Sequence, residues 1–153
     1  MFVAGFLALV LGLLLQAPGA PAFPEGALSP DEKARLEKES KIENRIKVYE
    51  KASTRICNSI QTAISTNQFQ SVPGDLELWT SLLDASLKDI EANLKSKKRP
   101  RALIKYEIQV RKAIASIQDS KILAPIDQQD VIDSCLMRAA EVHKRLVKKL
   151  FPD

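Results

Sequence analysis

Apolar residues recur along most of this chain at alternating steps of three and four, the period of one face of an α-helix. The series Ile42, Ile46, Tyr49, Ser53, Ile56, Ile60 and Ala63 advances by 4, 3, 4, 3, 4 and 3, a helical seam broken once, at Ser53. Leu76, Trp79, Leu83, Leu87, Ile90 and Leu94 mark a second face, and Leu103, Tyr106, Val110, Ala113 and Ile117 a third. Ile132, Cys135, Ala139, Val142 and Leu146 mark a fourth. No useful length of chain alternates with period two, so no strand is predicted.

Capping chemistry and breakers set the boundaries. Ser29-Pro30-Asp31-Glu32 reads as a helix start, with Ser at the N-cap, Pro at the first helical position and Glu closing a capping box. Neither Gly nor Pro interrupts the chain from there to Thr66, which predicts one helix over residues 30–66. Leu36 is the sole large apolar residue between Pro30 and Lys41, so its first three turns are expected to be solvated. Val72-Pro73-Gly74 belongs to a connection, and a second helix is expected over about 75–97. Pro100 suits the first position of a third, a loop follows at 120–125, and a fourth ends near Phe151-Pro152. Four amphipathic helices with short connections predict an all-α, antiparallel up-down-up-down four-helix bundle with coiled-coil-like seams. Its first helix, roughly 55 Å against roughly 30 Å for the others, is expected to overhang.

The pattern differs ahead of residue 23. No charged side chain precedes Glu25, and residues 2–15 are a continuous apolar run. Spanning a bilayer takes about 20 apolar residues, and Pro18 and Pro21 stand where such a helix would have to continue. Ala20-Pro21-Ala22 fits the small-x-small site of signal peptidase, so residues 1–22 read as a signal peptide cleaved after Ala22. A cut after Gly19 and an uncleaved anchor are the alternatives. No Lys or Arg leads the run, so either the Met1 amine supplies its positive end or the coding start lies upstream. The expected organisation is a leader over 1–22, a short flexible stretch over 23–29 and a helical domain over 30–153, secreted or periplasmic and without a transmembrane helix once cleaved.

Export brings the two cysteines into question, because an oxidising compartment favours pairing. Cys57 lies roughly 15 Å below the end of the first helix and Cys135 roughly 12 Å below the start of the fourth. With helices one and four adjacent, a Cys57–Cys135 disulfide is expected, contributing about 4 kcal/mol by the chain-entropy estimate.

Candidate catalytic chemistry is sparse in the 153 residues. The single histidine, His143, is eight residues along the same helix from Cys135, roughly 12 Å away and out of reach for a Cys–His pair or a shared zinc. Glu-x-x-His is absent, as Ala140 precedes His143 by three, and C-x-x-C-H is absent too. No catalytic, cofactor or metal residue is therefore assigned, and an enzyme is not expected.

Charge adds one location. The net charge of +4 comes from 23 basic and 19 acidic residues. Lys95, Lys97, Lys98, Arg99 and Arg101 fall within seven positions at the turn between helices two and three. Lys144, Arg145, Lys148 and Lys149 fall at the end of helix four, which places both groups at one end of the bundle. The plainer reading has these cations complement helix dipoles and pair with Asp31, Glu32, Glu37 and Glu39 of the overhang. The sharper one is contact with an anionic envelope surface or protein. No aromatic interleaves the basic turn, which argues against nucleic acid. Trp79 reads as core. The resulting expectation is an exported, non-enzymatic interaction or scaffold protein, the alternative being a carrier of an apolar or lipid-like ligand beside Trp79.

Overall fold

Ser29 opens the first helix as its capping box requires: its Oγ accepts from the Glu32 N–H at 3.2 Å, and Glu32 Oε2 accepts from the Ser29 N–H at 2.8 Å. In a computed structural model, which describes residues 22–95 and 97–153, that helix is α1, Pro30–Lys38. It is followed by α2 (Ile42–Ser65), α3 (Val72–Asn93), α4 (Arg101–Ser120) and α5 (Ile126–Leu150), with short 3-10 turns at Phe69–Ser71 and Lys121–Leu123. The described chain is all-helical, without strands. The expected signal peptide falls, apart from Ala22, outside the described residues.

The single first helix expected over 30–66 is two. Glu39 and Lys41 take extended backbone, and α1 turns back along α2. Glu32 reaches Arg55, 23 positions on, at 2.8 Å; in one straight helix those residues would stand roughly 35 Å apart. Arg55 also donates to the Ala27 carbonyl at 2.9 Å, and Leu36 is buried. The expected overhang is therefore absent, because one aliphatic side chain and one ion pair suffice to fold these turns inward. The stretch 23–29, read as flexible, is also packed: Phe23 lies 5.5 Å from the Tyr49 ring, and Ala27 is fully buried. Gly26 makes the turn possible, with φ of +87°, where a side chain would be strained.

Helices α2 and α3 are antiparallel neighbours, with Arg45 on Asp89, Ser53 on Trp79 and Ser59 on Asp75. On its other side α2 packs on α4 in parallel, sharing a groove at Glu43 and Arg101 and a hydrogen bond from Ser120 to Gln61. The last helix, α5, packs on α3 and α4. The expected adjacency of first and last long helices is not found: α2 and α5 face each other across the core, as do α3 and α4.

Trp79, Tyr49 and Tyr106 are fully buried among aliphatics of all four long helices. The seam break at Ser53 is the acceptor for the Trp79 indole N–H at 2.8 Å, and Ser86 bonds the Tyr106 hydroxyl at 2.7 Å. Asp89, 3% exposed, accepts from Arg45 Nε and Nη2 at 2.8 and 3.0 Å, from Tyr49 Oη, and from Asn93 Nδ2 at 2.8 Å. Every carboxylate lone pair thus has a donor, as burial of a charge demands.

Asp89→Ala leaves the half-buried Arg45 guanidinium without its counter-ion and removes the acceptor of buried Tyr49, and is expected to cost about 3 kcal/mol in urea unfolding. Burial alone would raise the Glu32 pKa, but the bonds from Arg55 and Ser29 outweigh it and hold the group below its ordinary 4.5. A lowered folded-state pKa gives stability that is full above the ordinary value of 4.5 and lost as pH falls from there through the folded-state value. Glu32→Gln is expected to flatten this part of the pH dependence, read as urea midpoints between about pH 3 and 6.

Candidate functional site

The basic turn owes its exposure to an early helix stop. Leu94 takes extended backbone as the C-cap of α3, four residues short of the expected end, and its N–H returns to the Ile90 carbonyl at 2.9 Å. Lys95, Lys97 and Lys98 therefore lie off the helix, and no basic residue occupies the last turn of α3. Pro100 is the N-cap of α4 rather than its first residue, its carbonyl accepting from the Leu103 N–H at 2.9 Å. The connection has to cross between diagonal helices, which keeps these cations spread over the end of the molecule.

Both predicted groups do meet there. Arg99 Cζ lies 5.3 Å from the centroid of the Phe151 ring, a cation–π contact that ties the connection to the end of α5. Lys95, Lys97, Lys98, Arg99, Arg101, Lys144 and Lys148 are exposed and Lys149 is half-buried. None of these eight forms an ion pair among the described residues. Arg145 is the exception: it holds Glu91 through two bonds and serves to clamp α5 to α3. None of the acidic partners expected from an overhang forms an ion pair with these cations, and Glu32 is committed to Arg55. No Asp or Glu occurs between residues 92 and 106 or between 142 and 152. Lys148 and Lys149 do complement the α5 dipole; the other six are uncompensated by any helix end they occupy.

The remaining candidates are engaged elsewhere. His143 Nε2 and Glu107 Oε1 are 2.7 Å apart across α4 and α5, and Arg111 shares that carboxylate. The Trp79 ring is fully buried with its N–H satisfied. Among the described residues no three His, Cys, Asp or Glu side chains come together as a metal site, and no helix is long and apolar enough to cross a membrane.

Cys57 and Cys135 are buried free thiols, so the expected disulfide is not formed. They do share a layer, but they belong to diagonal helices. Neighbouring axes sit about 8–10 Å apart, and the diagonal exceeds the Cα separation of about 7 Å that a disulfide tolerates. Cys135 Sγ turns instead to the Leu76 carbonyl at 3.9 Å. Burial pushes both thiols up to about 12. At pH 8 the native protein is expected to show essentially no reaction with a thiol reagent over minutes, and two reactive thiols once denatured without reductant. Fewer than two would restore the disulfide.

Neither the Asp89 cluster nor the return of α1 along α2 is legible in the sequence. Arg45 and Asp89 flank apolar seams as solvated charges do, so spacing carried no signal for their pairing. Compared with known proteins, the chain matches no family model, no curated protein and no solved structure.

Proposed function

We propose that this is an exported, non-enzymatic interaction protein of the cell envelope that engages an anionic partner through its basic end. The scaffold is read as a bundle of the four long helices with α1 strapped along α2. The observation that carries the reading is the convergence on one end of eight cations without an ion pair among the described residues, all on two stretches that hold no Asp or Glu. An uncompensated patch of this kind raises the local concentration of anionic ligands and speeds their encounter. Export is supported by the apolar run over 2–15 and by Phe23, the first residue left by cleavage after Ala22, which is packed against Tyr49. Unbonded cysteines are compatible with an oxidising compartment, because both are buried and sit on helices that do not adjoin. Binding is preferred to catalysis because the single histidine is held by Glu107 and both thiols are protonated and enclosed.

Cosedimentation of the chain beginning at Phe23 with vesicles tests this reading. Binding is expected to vesicles rich in phosphatidylglycerol, not to phosphatidylcholine alone, and to fall as salt rises from about 50 to about 500 mM. At about 1 kcal/mol per cation near the surface, replacing Lys97, Lys98, Arg99 and Arg101 by Glu should weaken it more than about 100-fold. Equal binding to both vesicles, or to neither, overturns the reading.

A further inference from the structure

The end of the molecule opposite the cations carries the most exposed aliphatic side chains. Ile122, Leu123 and Ile126 are 83, 63 and 87% exposed, together at the turn from α4 into α5. This turn is braced. Lys121 bonds Asp133 at 2.6 Å, Gln129 donates to the Ala124 carbonyl at 3.2 Å, and Gln128 donates to the Phe69 carbonyl at 3.1 Å. Ser120 bonds Gln61 at 2.7 Å and Ala124 is buried, so the aliphatics are held outward on a fixed base. Exposed aliphatics gathered at one braced turn, rather than scattered singly, are the kind of surface that marks an interaction site.

The charge around it has one sign. No Lys or Arg occurs between residues 56 and 87, and between 113 and 137 there is only Lys121, which Asp133 occupies. Asp119, Asp127 and Asp130 flank the aliphatics without an ion pair among the described residues. The tip is apolar and acidic, while the end roughly 30 Å away along α4 is basic. An anionic lipid surface would repel such a tip, and a neutral one would leave its aspartates unused. The matching surface is on the molecule itself: lysine stems and Phe151, 64% exposed, under a layer of positive charge.

We propose that the Ile122-Leu123-Ile126 tip of one copy docks on the basic end of a second copy, so that copies associate head to tail. The two surfaces differ and lie at opposite ends, so the contact is heterologous and grows into open chains rather than closing as a symmetric dimer. This rests on the reading that the basic end takes an anionic partner, and it names that partner as the aspartate-flanked tip of the same protein.

Sedimentation velocity of the chain from Phe23 onward, across a concentration series and at about 50 and 500 mM salt, reads the association. Concentration-dependent growth beyond the dimer at low salt, reverting toward monomer at high salt, is expected. Ile122→Asp with Ile126→Asp blocks one end, and Lys97→Glu with Lys98→Glu blocks the other; each variant alone should associate at least about tenfold more weakly. All four positions are exposed, and unchanged far-ultraviolet dichroism will show that the variants fold. The two blocked variants mixed one to one retain one good pair of surfaces and should form dimers and nothing larger. A monomeric wild type at every concentration overturns the proposal, as does a mixture that yields no dimer or a salt-resistant dimer abolished only by the tip substitutions. A monomer that still binds phosphatidylglycerol vesicles removes head-to-tail assembly and leaves the proposed function standing. Chains that form but ignore vesicles support assembly and overturn the envelope-surface reading of the basic end.

Discussion

A carboxylate buried between two helices places the strictest demand on this structure. Asp89 is taken out of water with its charge, and that is tolerable only while Arg45, Tyr49 and Asn93 all donate to it. All four groups come from successive turns of α2 and α3, so meeting the demand fixes the register of that antiparallel pair. Tyr49 is held in the process, burial and the carboxylate together raising its pKa, and its ring becomes the surface on which Phe23 rests. The same register aligns Ser53 with the Trp79 indole, so the two buried polar contacts reinforce one alignment.

From this pair the polarity of the molecule follows. With α2 and α3 locked, α4 takes the other side of α2, and the chain between α3 and α4 has to cross an end of the molecule. That crossing carries the run of cations, and Arg99 over Phe151 joins it to the end of α5. The opposite end receives the start of α3 and the turn into α5, segments almost free of basic residues. Two ends of unlike charge are thus a result of helix order acting on a chain whose lysines and aspartates are unevenly distributed.

How far the sequence could be read differs from residue to residue. The capping box at Ser29 was legible because it is a local contact closed within four residues. The seams on all four long helices were legible because burial repeats with the helical period. Lys97 and Arg99 could be assigned to an exposed turn, since Pro100 must break the helix. The function of Ser53 was visible only as an interruption, for its partner is 26 residues away. Arg145 looked identical to Lys144 in the sequence, and only the position of Glu91 on a neighbouring helix separates a clamp from a free cation. Nothing in the sequence singled out Ile122 or Ile126, because exposure of an aliphatic side chain leaves no mark on the pattern.

Local interactions decided the helical class, the start of α1, the core faces and the two groups of cations, because each depends on residues within a turn or two of one another. Tertiary structure decided which helices adjoin, and three reversals come from that alone. α1 folds back because Arg55 lies where Glu32 can reach it, and the cysteines stay apart because their helices are diagonal. No acidic residue of α1 forms an ion pair with the cations of the basic end. Each outcome turns on a choice of neighbour among amphipathic helices whose faces are chemically alike, so periodicity could not distinguish the alternatives. A buried charge and its few donors could.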